Sequence, residues 1–112
     1  MGESVLTPEL LELVAERFKA LGEPARLGIL NELRDRELSV SEIVERTGLG
    51  QANVSKHLQL LHSLGFVERR KAGLHVFYSL AGHDVFQLCD LMCGRIAREA
   101  GARAALLATD SD

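Results

Sequence analysis

The chain has 112 residues, of which 46% are hydrophobic and 26% charged, and its formal net charge is −3. That length suits one domain of the usual ~100–150 residues, and the apolar content excludes a disordered chain. No apolar run approaches the roughly 20 residues that span a bilayer, and Met1-Gly2-Glu3-Ser4 has neither the basic nor the apolar region of a secretory signal. Met1-Gly2 begins like an acylation site, but Leu6 stands where that motif needs Ser or Thr. A cytoplasmic location with no membrane partner is the expectation.

Thr7-Pro8-Glu9 is a helix start, with a capping Thr, Pro in the first turn and an acid beside it. Leu10, Leu11, Val14 and Phe18 follow at helical spacing, and Gly22 ends the run. Pro24 opens a second helix through Leu27, Leu30 and Leu33. Ser41 is read as the cap of a third, which carries Ile43 and Val44 and stops at Gly48. After Leu49-Gly50 a fourth helix runs from about Gln51 to Leu64, burying Val54, Leu58 and Leu61 with Leu64 at its margin, and Gly65 closes it. Helix, short Gly-containing turn, helix is the helix-turn-helix pattern. Phe66–Arg70 and His75–Leu80 read as two strands about Lys71-Ala72-Gly73-Leu74, a hairpin rich in β-branched and aromatic residues. A last helix starts near His83 or Asp84 and reaches at least Ala100. Ala102–Leu107 can extend it, and Thr109–Asp112 are expected to fray. The order α-α-α-α-β-β-α makes the chain one mainly helical domain over 1–112: a winged helix-turn-helix with the helix pair at 41–64, the wing at 66–80 and a dimerisation helix at 83–108.

Charge is unevenly spread. Between Arg46 and Leu80 stand Arg46, Lys56, Arg69, Arg70 and Lys71 against Glu68 alone, a local +4 on an otherwise acidic chain. Such a patch is the electrostatic footprint of a nucleic-acid reader. In a helix-turn-helix the second helix enters the major groove, and here its polar positions are Gln51, Asn53, Ser55, Lys56, His57 and Gln59. Gln and Asn bond adenine bidentately, and Lys bonds guanine or phosphate. Arg69, Arg70 and Lys71 rise into the wing, where phosphate contacts position a protein without specifying sequence. His62 is read as packing and His75 as a strand end. An amphipathic surface helix with ordinary polar residues is the plain alternative, and the basic hairpin argues against it.

The run from Phe18 to Leu30 (FKALGEPARLGIL), then Ser41-Glu42-Ile43, then Asn53 to Leu58 (NVSKHL) and the hairpin end Val76 to Leu80 (VFYSL) together resemble the ArsR/SmtB family of metal- and stress-sensing repressors. The resemblance covers nearly the whole chain. Leu74 departs from it, standing where a basic residue commonly follows the wing Gly. The resemblance implies a homodimer formed by the first and last helices, which represses by occupying double-stranded operator DNA and needs no other protein partner. Ligand binding or thiol chemistry would then lower DNA affinity through a coupling free energy.

Two cysteines exist, Cys89 and Cys93, about 40° apart around the last helix and one turn from each other. Val85, Met92 and Ile96 share that face. Two thiolates at this spacing can reach one ion, and soft donors rank arsenite, antimonite, cadmium, zinc or lead above nickel, cobalt or manganese. An intrahelical disulfide fits less well, because Cβ atoms at i, i+4 stand roughly 5–6 Å apart and a disulfide wants about 3.5–4.5 Å. The alternatives are a redox or reactive-sulfur switch at the same thiols, or two core cysteines with no inducer site.

Other family sites are not matched. Gly82, Asp84, Arg95 and Arg98 occupy the positions of the last-helix zinc site, and Leu38–Glu45 contains no Cys. His83-Asp84 is read as a helix start rather than a ligand pair. No cofactor is required on this reading, and a soft metal or metalloid ion enters as inducer. A protein-binding winged helix is a rival that the polar, basic face disfavours. No nucleophile–base–acid set, phosphate loop or HExxH motif marks an enzyme.

Overall fold

The computed structural model describes residues 5–110. The expectations for Met1–Ser4 and for the last two residues lie outside that range. Five helices and three strands follow in the order α1 (Pro8–Leu21), α2 (Pro24–Glu32), β1 (Leu38–Ser39), α3 (Val40–Thr47), α4 (Gln51–Ser63), β2 (Val67–Ala72), β3 (His75–Leu80) and α5 (Asp84–Asp110). The elements up to β3 form one compact unit, and α5, from Gly82 on, forms a second.

Local chemistry explains most boundaries. The Thr7 hydroxyl accepts the Leu10 N–H at 3.1 Å, with Pro8 entering the first turn of α1. Glu23 caps α2 through the Ala25 N–H. The cap of α3 is Ser39, not Ser41. Ser39 and Glu42 exchange hydrogen bonds in a reciprocal capping box, and Ser41 lies exposed inside the helix. Gly48 ends α3 at φ 73°, a left-handed conformation that costs a residue with Cβ about 1–2 kcal/mol.

Ser39 also belongs to β1, which the sequence reading lacked. Two residues are too few to show a period. β1 pairs antiparallel with β3 (Leu38 opposite Tyr78, Ser39 opposite Phe77), giving a three-stranded sheet ordered β1-β3-β2. The wing hairpin is longer than Phe66–Arg70 and His75–Leu80 suggested. Lys71 pairs with Val76 and Ala72 with His75, so the turn is Gly73-Leu74 alone. Gly73 has φ 62°, and Gly at the first of two turn residues matches the twist of a tight hairpin.

The core of the first unit gathers Ile29, Leu30 and Leu33 of the second-helix segment, Ile43 of α3, Val54, Leu58 and Leu61 of α4, and Val67 of β2. These side chains are 2% exposed or less, and truncating one such Leu costs about 2–5 kcal/mol. The core therefore clamps the inner face of α4 and leaves its outer face free. In α5, Val85 and Phe86 are buried, whereas Leu88, Leu91, Met92 and Ile96 are exposed. The helix continues through Gly101 to Asp110, past the expected end at 108, because an Ala-rich stretch offsets the roughly 1 kcal/mol that one helical Gly costs. Among the described residues no helix is long and apolar enough to cross a membrane.

Candidate nucleic-acid interface

At about 100° per residue the buried Val54, Leu58 and Leu61 define the inner side of α4, and the remaining positions divide into three strips. Lys56 sits at the centre of the outer face and is exposed. Gln51, Ser55 and Gln59 occupy the strip beside the wing, with Ser55 half-buried. Asn53 and His57 lie on the opposite flank; Asn53 is exposed and His57 half-buried.

Strand alternation sorts the three basic wing residues. Arg69 and Lys71 are two apart on β2, so they share a face, and both line a groove of about 460 Å³ together with Ser55 and Gln59. A smaller hollow of about 220 Å³ touches Gln51, Ser55 and His75 near the wing turn. Arg70 points to the other face. Its guanidinium grips Glu37 in a fork, Nε to Oε2 at 3.0 Å and Nη2 to Oε1 at 2.7 Å, and lies 4.9 Å from the centroid of the Phe77 ring. The hydrogen bond from Arg70 holds the Glu37 carboxyl below the usual carboxylate range, and Glu37 raises Arg70 in turn. Arg70 is thus paired with Glu37 across the sheet, while Arg69 and Lys71 have no ion-pair partner among the described residues.

His57 has a structural partner. Arg26 donates from Nε to the Ala20 carbonyl at 2.6 Å, and its Nη1 faces His57 Nδ1 at 3.2 Å. A guanidinium carries donors only, so this pairing requires Nδ1 to accept and leaves the imidazole hydrogen on Nε2. Arg26 therefore ties the end of α1 to α4 and holds the His57 ring at its Nδ1 edge. The sequence pattern holds both residues but not their proximity, since they are 31 positions apart.

Cys89 is half-buried and Cys93 exposed, both as free thiols. Among the described residues no three His, Cys, Asp or Glu side chains of the chain gather closely enough to hold a metal ion.

The arsR family model of bacterial regulatory proteins matches residues 23–69, which span α2, β1, the helix-turn-helix and the first three residues of β2. The chain is 37% identical over 99 residues to the HTH-type transcriptional regulator Rv0081 of Mycobacterium tuberculosis, covering 88% of this chain and 87% of that one. The crystal structure of Rv0081 superposes with a TM-score of 0.77, covering 88% of this chain and 99% of that chain. The homodimeric winged helix-turn-helix DNA-binding domain of Mb0332 from Mycobacterium bovis superposes at 0.71 with 38% identity, covering 88% and 91% of the two chains. The transcriptional repressor SmtB of M. tuberculosis is 36% identical over 77 residues, which are 69% of this chain and 57% of SmtB. Family, relatives and the winged helix-turn-helix fold agree, and the chain belongs to the arsR family of bacterial regulatory proteins, which are DNA-binding transcriptional regulators rather than enzymes.

Proposed function

We propose that this chain is a homodimeric repressor that occupies double-stranded operator DNA and leaves it when a thiophilic metal or metalloid ion engages Cys89 and Cys93. The observation that carries the DNA half is the groove between α4 and the wing, where Arg69 and Lys71 face Ser55 and Gln59. Gln51, Asn53, Lys56 and Gln59 supply exposed base-reading groups along α4, and the half-buried His57 lies beside them. The relatives support repression and dimerisation: SmtB is a repressor, and the Mb0332 domain is a homodimer. Exposed apolar side chains on α1 (Leu10, Leu11, Phe18) and on α5 (Leu88, Leu91, Met92) are the surfaces a second copy would cover.

The inducer half rests on the two thiols. In a symmetric dimer each copy adds the same pair, so up to four soft ligands become available, a set that suits arsenite, cadmium or zinc. An ion that binds the DNA-free dimer more tightly lowers operator affinity by the same factor, and such couplings are typically 5–150-fold. The exposure of Cys93 favours one second reading, oxidation or persulfidation at the same pair, because an accessible thiol is the one that reacts.

The test is operator release followed by fluorescence anisotropy with arsenite, cadmium, zinc, hydrogen peroxide and persulfide side by side. Cys89→Ser and Cys93→Ser are expected to keep operator affinity and lose the response. Release by peroxide or persulfide but by no metal selects the second reading. Serine variants that respond like the wild type refute both.

A further inference from the structure

The geometry points to a phosphate cradle in the groove between α4 and the wing, in which the Tyr78 hydroxyl is a neutral donor to one DNA backbone phosphate. This assignment rests on the DNA-binding reading above and names the atom that holds the strand.

Tyr78 is 6% exposed, yet its hydroxyl makes no hydrogen bond among the described residues. No fully buried side-chain N or O atom of those residues lacks a partner, so this oxygen opens onto solvent, and the groove is where Tyr78 borders it.

The sheet supplies the rest of the cradle. Arg69 lies directly across the ladder from Tyr78, and Lys71 across from Val76, so both cations share a sheet face with Tyr78, and all three line the groove. Ser55 and Gln59 close the groove from α4, and none of these four side chains has a hydrogen-bond or ion-pair partner among the described residues. Val40 and Val76 form an apolar floor, and no carboxylate lines the groove. Two cations, several neutral donors and no acid select an anion. The groove, at about 460 Å³, is larger than a single small ion needs. The buried ring has little rotamer freedom, so the O–H is positioned before the ligand arrives and little ordering entropy is lost on contact. Tyrosine is among the side chains that contact phosphate oxygens in DNA complexes.

Tyr78→Phe removes only the hydroxyl. On the operator selected from random duplexes, the wild-type dimer and the variant are compared by anisotropy across a salt series, on operator and on unrelated DNA. The dimer carries two copies of Tyr78, so affinity is expected to fall about 100-fold on both sequences, roughly tenfold for each hydrogen bond to a charged group. The salt slope stays unchanged because a neutral donor displaces no counterion, whereas Arg69→Gln lowers it by about two, one for each protomer. A methylphosphonate scan, neutralising one phosphate at a time, is expected to find a position whose loss costs the wild type more than Tyr78→Phe. The exposed Arg69→Gln variant must map to that same phosphate, a check that holds even if the phenylalanine variant folds poorly. Added inorganic phosphate at constant ionic strength is expected to compete no better than chloride; strong competition would make the groove a free-phosphate site and overturn the assignment. Wild-type affinity in Tyr78→Phe on both DNAs, or different phosphates for Tyr78 and Arg69, also overturns it. Failure of the wild type to bind any duplex instead removes the functional reading on which the assignment stands.

Discussion

The Ser39 hydroxyl accepts the Glu42 N–H at 3.2 Å while the Glu42 carboxylate accepts the Ser39 N–H at 2.8 Å, so two backbone donors at the start of α3 are satisfied at once. The backbone hydrogen bond from Ser39 also lowers the Glu42 carboxyl from its ordinary value. Ser39→Ala is expected to cost about 1 kcal/mol, the usual worth of a helix N-cap, and Ser41→Ala clearly less. Urea midpoints of the two variants check this, and equal losses would contradict it. Ser41 was the residue the pattern pointed to, because Ser-Glu-Ile reads as a start. The choice between two serines depends on a backbone turn set by β1 pairing with β3, a contact between residues some 40 positions apart. The same limit applies to His57. Its place in a reading helix is legible in the sequence, and its role as an Arg26 partner is not.

Among the elements, the wing shows how one face is freed by committing the other. Arg70, Phe77 and Glu37 pack together on one side, with the His75 ring 6.2 Å from that of Phe77. Arg69 and Lys71 consequently stand on the groove side. The Glu37 carboxyl titrates below its ordinary range in the folded chain, so the unfolded chain takes up the proton first as pH falls. The pair therefore adds stability above the ordinary carboxylate range (~4.3), and this contribution is lost as pH falls through the lower folded value. Glu37 is solvent-exposed, so the effect is small. Thermal melts of Glu37→Gln are expected to lie slightly below wild type at neutral pH and to converge with it in acid; a gap that widens in acid would refute the pairing. The composition of Val67–Leu80 announced a hairpin. The register that puts Lys71 in the strand and Arg70 on the far face follows from a two-residue turn, and a one-residue slip would have exchanged the faces.

For the molecule as a whole, the exposed apolar residues of α5 carry the largest consequence. Leu91 is 73% exposed and Met92 56%, while the core of the first unit is closed without them. A symmetric dimer buries such a face against its own copy, so one substitution acts twice. Leu91→Glu is expected to yield a folded monomer by light scattering and to cut operator affinity by orders of magnitude, because a dimer reads two half-sites. A dimeric Leu91→Glu protein would move the interface elsewhere. By itself the sequence determined the helix-turn-helix and wing, since caps, glycines and apolar periods are local signals repeated in every element. It also determined the arsR family membership through motifs spread along the chain. Only the tertiary structure decided which basic residues face the groove, which serine caps α3, how Arg26 holds His57 and that Tyr78 borders the groove. Each of these is a meeting of side chains far apart in sequence, made when the sheet and the core set their distance.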